Sequence, residues 1–225
     1  MITTQARRLP AAALLRMASM IILIGVLLTP ALRASAVTSY SEPLQTAIGD
    51  LSVATEHRDG YERDKFNLWI DADDDGCDTR DEVLISEAED APDVGSGCSL
   101  SGGRWYSYYD GVSQTSTSDI DIDHVVPLAE AWDSGAGDWT ADRREAYAND
   151  LDDYRTLVGV TDSVNQSKSD QDLAEWLPDQ QQCRYLREYV AVKIRWTLAV
   201  DSAEKSAMED LAAGCTNSTI SVEIV

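Results

Sequence analysis

Histidine is scarce: only His57 and His124 occur among 225 residues, so any histidine chemistry is confined to those two positions. Basic residues are also few, with 18 Lys plus Arg against 40 Asp plus Glu and a formal charge of -22. So acidic a chain does not grip nucleic acid through a general basic surface. Neither G-x-S-x-G nor H-E-x-x-H occurs, which leaves serine-esterase and zinc-protease chemistry without an anchor. The four cysteines, Cys77, Cys98, Cys183 and Cys215, show no C-x-x-C spacing, which argues against a cysteine zinc site. One long apolar run exists, Met17 to Leu28, and it is shorter than the roughly 20 residues of a bilayer span.

What is present is ordinary for a globular protein: 44% hydrophobic and 26% charged residues. The length fits one domain or at most two. At the N-terminus, Arg7, Arg8 and Arg16 flank the apolar run, and Pro30 and then Ala34-Ser35-Ala36 follow it. A basic region, a short apolar core and a small-x-small site have the form of a secretory signal peptide. The expectation is a signal peptide over 1–36 and a secreted, extracellular domain over 37–225 with no membrane attachment. Four cysteines in an oxidising compartment read as two disulfides with three connectivities. Loop length favours Cys77–Cys98 and Cys183–Cys215.

Hydrophobic spacing predicts an α+β domain that begins with a helix. Leu44, Ile48 and Leu51 recur at helical intervals between Glu42 and Thr55. Glu82-Val83-Leu84-Ile85 reads as a strand, and Trp105 to Tyr109 as a strand or packed turn. Asp119 to Val126 alternates apolar and polar residues and predicts a strand that Pro127 ends. A helix follows over 141–149, a strand over 154–160 and a helix from about Ser163. Two further helices, about 182–200 and 202–213, would form a C-terminal hairpin.

The alternating strand puts Asp119, Asp121 and Asp123 on one face and His124 on the other. Carboxylates at that spacing repel one another unless a cation neutralises them. Asn165 and Lys168 stand at i, i+3 on the later helix; an amide oxygen suits a hard divalent ion and an ammonium suits a phosphate. A second acidic group, Asp71, Asp73, Asp75, Gly76 and Glu82, fits the D-x-[DN]-x-[DN]-G-x5-E spacing of a calcium loop.

An Asp-His strand, a second strand and then a helix with Asn-x-x-Lys form a specific constellation. In these residues the chain resembles the HNH endonucleases of the ββα-metal fold, in the secreted branch related to the C-terminal domain of GmrSD-type restriction endonucleases. The resemblance runs from about Leu51 to Cys215. Its motifs are Asp71-Ala72-Asp73-Asp74-Asp75-Gly76-Cys77-Asp78-Thr79-Arg80, Gly103-Arg104-Trp105, Asp121-Ile122-Asp123-His124-Val125-Val126-Pro127-Leu128, Ala148-Asn149-Asp150-Leu151 and Asn165-Gln166-Ser167-Lys168.

The resemblance implies a ββα-metal core over about 119–175 and hydrolysis of nucleic-acid phosphodiester bonds. DNA is the expected substrate, cut with little sequence preference by a monomer. Asp123 and Asn165, helped by Asp121, would ligate a divalent ion: Mg²⁺ by preference, with Mn²⁺ or Zn²⁺ as alternatives. His124 would be the general base, and Lys168 would hold a phosphate oxygen. The family pattern has an Asn nine residues before the ligating Asn, where this chain has Thr156. Asn149 is assigned instead to steady the loop that carries His124. Arg144 and Arg155 are candidate phosphate contacts. The competing reading is a calcium-binding extracellular module with an inactive nuclease-like core.

Overall fold

A computed structural model describes residues 38–225, and the signal-peptide expectation over 1–36 lies outside them. Chain order is β1 (Thr38–Pro43), α1 (Leu44–Asp50), α2 (Thr79–Glu87), β2 (Asp93–Val94), β3 (Leu100–Ser101), β4 (Trp105–Ser107) and β5 (Val112–Gln114). There follow β6 (Ile120–His124), α3 (Leu128–Asp133), α4 (Ala141–Ala148), β7 (Leu157–Thr161), α5 (Asp162–Lys168), α6 (Gln182–Arg195), α7 (Ser202–Ala212) and β8 (Thr219–Ile224). The strands pair as four antiparallel two-stranded ladders, β1–β8, β2–β3, β4–β5 and β6–β7. No helix among the described residues is long and apolar enough to cross a membrane.

The main core lies around α6, the one long helix with most of its surface inside. Tyr185, Leu186, Tyr189 and Val190 are fully buried and meet Leu44 and Ile48 of α1, Tyr147 of α4 and Trp196. Burying each such side chain contributes about 1.5–3 kcal/mol. The helix expected over 182–200 stops at Arg195, and Thr197 takes a left-handed φ of 57°. A smaller core of Val83, Leu84, Trp105, Ile120, Ile122 and Leu157 holds α2 against the β6–β7 ladder. There the Trp105 indole Nε1 donates to the Leu84 carbonyl at 2.6 Å.

The strand expected at Glu82–Ile85 is instead the middle of α2. Asp78 caps that helix by accepting from the Asp81 amide at 3.0 Å. Val83 and Leu84 are both buried, which one helix face permits and an alternating strand does not. At the other end, Glu42 belongs to β1, and the expected Glu42–Thr55 helix is confined to α1. The strand expected from Tyr154 begins at Leu157, and Tyr154 itself is exposed.

Both favoured disulfides are present. Cys77–Cys98 ties the segment before α2 to the turn before β3, and Cys183–Cys215 joins the start of α6 to the third residue past α7.

Candidate active site

The site is built where β6 ends. Its register with β7 pairs Asp123 with Val158 and His124 with Leu157. β7 passes directly into α5, which packs on the ladder and brings Asn165 and Lys168 to the β6 edge. A cleft of about 390 Å³ opens there, with Asp123, His124, Asn165, Gln166, Tyr61 and Arg63 among its lining residues.

His124 is held at one ring nitrogen. Its Nε2 lies 2.9 Å from the Ala148 carbonyl oxygen, an acceptor only, so Nε2 carries the hydrogen and Nδ1 of the neutral ring is left as an acceptor. Burial pushes the imidazole down to about 3, against the opposing effect of the Ala148 bond. Trp69 flanks the ring at a centroid distance of 5.9 Å and an interplanar angle of 28°, and Tyr147 lies at 6.0 Å. Hydrogen-bonded and flanked in this way, the ring is fixed in tautomer and orientation.

Asp123 accepts from the Tyr109 hydroxyl at 2.6 Å and from Lys168 Nζ at 2.8 and 2.7 Å. Burial pushes the Asp123 carboxyl up and the Lys168 ammonium down, and their mutual contact opposes both shifts. Asp121 accepts from the Asn165 amide at 3.2 Å. The structure therefore brings Asp123, His124 and Asn165 together at one cleft, and Asp121 joins them through its bond to Asn165.

The other expected residues are placed differently. Lys168 is completely buried and does not line the cleft; its third bond goes to the His124 carbonyl at 2.8 Å. In that position the ammonium fastens α5 to β6 and is not presented to a phosphate. Arg144 donates to the carbonyls of Lys65, Ala136 and Trp139 and stacks over Trp132. Arg155 grips Asp153 and the Ser221 carbonyl of β8. Neither arginine lines the cleft. Thr156, at the position where the resembled family has its Asn, is buried and donates to Asp150 at 2.8 Å.

Asn149 works at one remove. Its amide donates to the carbonyls of Asn67 (2.7 Å) and Glu145 (2.8 Å), and its oxygen accepts from Ile70 N (3.2 Å) and Thr79 Oγ1 (2.9 Å). These bonds clamp the backbone on both sides of Trp69, the aromatic that stacks on His124. Sequence reasoning missed Trp69 and Tyr109. Trp69 stands two residues before the acidic loop, and Tyr109 belongs to an aromatic run read only as packing.

In the acidic loop, carboxylate oxygens of Asp71, Asp73 and Asp75 lie within 4.8 Å of one another. Asp71 accepts from the amides of Asp75 (3.2 Å) and Gly76 (3.0 Å), and Gly76 takes a left-handed φ of 96°. Because α2 starts at Thr79, Glu82 sits on a helix. Burial, and then the charges of Asp73, Asp75 and Asp71, push its carboxyl up.

Comparison with known proteins yields one family and one relative. The family described as GmrSD restriction endonucleases, C-terminal domain, matches residues 78–211, the span that holds His124 and Asn165. An uncharacterized secreted protein of Arthroderma benhamiae is 44% identical over 174 residues, covering 76% of this chain and 84% of that protein. No solved structure matches. The chain belongs to the family of the GmrSD restriction endonuclease C-terminal domain.

Proposed function

We propose that this chain is an exported, metal-dependent endonuclease of the ββα-metal class that hydrolyses nucleic-acid phosphodiester bonds, DNA foremost. The observation that carries the reading is His124: a buried neutral imidazole, fixed through Nε2, with Nδ1 free at a cleft shared with Asp123 and Asn165. At neutral pH such a ring is unprotonated, and in this reading its Nδ1 is the acceptor for a proton from water. The water oxygen then forms a bond to phosphorus while the bond to the 3′-oxygen breaks. The proton goes to His124 Nδ1, and the departing 3′-oxygen is protonated from solvent. The products carry 5′-phosphate and 3′-hydroxyl ends.

In this reading Asp121, Asp123 and Asn165 are the residues that would hold a divalent ion. Their donors are two carboxylates and one amide, an all-oxygen set that suits Mg²⁺ rather than Zn²⁺. When bound, such an ion stabilises the negative charge that develops on the leaving oxygen. Lys168 and Tyr109 hold the Asp123 carboxylate in one orientation.

Export rests on the basic and apolar character of residues 1–36, on the two disulfides and on the secreted relative. In this reading 1–36 is a signal peptide and 37–225 the secreted domain, which acts as a monomer. The test is incubation of the oxidised 37–225 chain with supercoiled plasmid, in Mg²⁺ and in EDTA. Nicking in Mg²⁺ that EDTA abolishes is expected. No cleavage of DNA or RNA with Mg²⁺, Mn²⁺ or Zn²⁺ would turn the reading toward a calcium-binding module with an inactive core.

A structural Ca²⁺ in the loop Asp71, Asp73, Asp75 and Glu82 is compatible with that nuclease. Helix α2 favours it, because a calcium loop of this spacing delivers its last Glu from a helix. Calorimetric titration with Ca²⁺ should show one site that Glu82→Gln weakens; no heat at millimolar Ca²⁺ contradicts the site.

A further inference from the structure

The scarcity of base is sharper in the structure than in the sequence. Of the cations between Thr140 and Val200, Arg143, Arg144, Arg155, Lys168, Arg184, Lys193 and Arg195 all donate to internal acceptors. Those residues therefore do not make a positive groove for a polyanion. Among the residues lining the cleft, the only Lys or Arg is Arg63.

Arg63 has its charge free and its backbone fixed. It is exposed, and among the described residues its side chain makes no ion pair or hydrogen bond. It opens a short helical turn, Arg63–Lys65, closed by the Phe66 amide donating to the Arg63 carbonyl at 3.0 Å. Phe66 is buried against Trp132 and Tyr147, and Arg144 Nε donates to the Lys65 carbonyl at 3.2 Å. Arg58 secures the same segment further upstream, bonding Asp133 and Asp170, each at 2.6 Å. Arg63 and His124 both line this cleft.

We propose that Arg63 is the phosphate-binding cation of this cleft, its guanidinium taking the non-bridging oxygens of a nucleic-acid phosphodiester beside His124. The inference deepens the nuclease reading and rests on it. A planar guanidinium matches two phosphate oxygens in a way that an ammonium does not. It supplies locally the positive charge that the chain lacks as a whole. Lys168, the cation the sequence put in this role, is occupied within the fold.

The test separates binding from cleavage. A fluorescent DNA duplex is titrated in Mg²⁺ with His124→Ala and with the double variants His124→Ala/Arg63→Gln and His124→Ala/Arg63→Lys, across a salt series. Arg63→Gln should weaken binding about tenfold or more. It should also remove about 1 from the slope of log affinity against log salt. Arg63→Lys should keep the slope while losing part of the affinity. All three proteins should melt alike, because Arg63 is exposed and unpaired. Equal affinity and slope with and without Arg63 would overturn the assignment, as would absence of duplex binding by the His124→Ala parent. Cleavage that persists in His124→Ala would count against the general base while leaving the Arg63 comparison decisive.

Discussion

Lys168 Nζ donates to both carboxylate oxygens of Asp123, at 2.8 and 2.7 Å, with both side chains buried. Removing one partner of such a pair leaves an uncompensated buried charge, which costs about 3–5 kcal/mol. Lys168→Met should therefore lower the free energy of unfolding by that much, seen as a lower urea midpoint with an unchanged slope. A change below about 0.5 kcal/mol, the size expected for a surface residue, would contradict the buried placement.

Asn149 offers a separate test of how His124 is held. Asn149→Ala removes four hydrogen bonds around Trp69, each worth about 0.5–1.5 kcal/mol. Stability should fall by about 2–6 kcal/mol by the same reckoning. Cleavage should suffer in kcat more than in KM, because the His124 ring loses its support while the cleft remains. A rise in KM alone, or unchanged kinetics, would argue that Asn149 supports only the loop.

The pH dependence of stability should carry a mark from Glu87. Its carboxylate accepts the Gly159 amide of β7, and burial pushes its pKa up to about 7. A carboxyl with a raised folded pKa binds protons more tightly in the native state. Its stabilising contribution is full below about pH 4.3, the unfolded value, and is lost as pH rises through about 7. Over that window the loss is about 2–4 kcal/mol. Glu87→Gln should flatten the profile and melt above the wild type at pH 8. A Glu87→Gln profile parallel to wild type between pH 5 and 8 would contradict this assignment.

The bond between Cys183 and Cys215 joins α6 to the end of α7. Replacing both cysteines with serine should cost about 2–4 kcal/mol, read by thermal or urea unfolding. A loss under about 0.5 kcal/mol would mean that packing alone holds the two helices.

Much of the site was legible because its residues lie in short, strongly patterned segments. Alternation from Ile120 to His124 gave the strand, the start of α5 followed β7 closely, and the cysteine spacing gave both disulfides. The Asp-His pair and Asn165, singled out in the sequence, share one cleft in the structure. What failed depended on tertiary surroundings. Val83-Leu84 is a short apolar run with no periodicity of its own, and its helix is set by the Asp78 cap and by Trp105 packing over it. Lys168 has the residue type of a phosphate ligand, and only burial against Asp123 shows otherwise. Strands β1 and β8 pair residues from opposite ends of the described chain, a contact that no local pattern announces. Arg63 sits in an irregular turn, and its approach to His124 is visible only in three dimensions.

The central claim is that His124 is the base, and a single-turnover rate tests it most directly. DNA duplex is mixed with excess enzyme in Mg²⁺, and cleavage by wild type is compared with that by His124→Ala at equal occupancy. The variant should be slower by at least about 10²-fold with binding retained. A His124→Ala rate within a few-fold of wild type would contradict the central claim and place the chemistry elsewhere in the molecule.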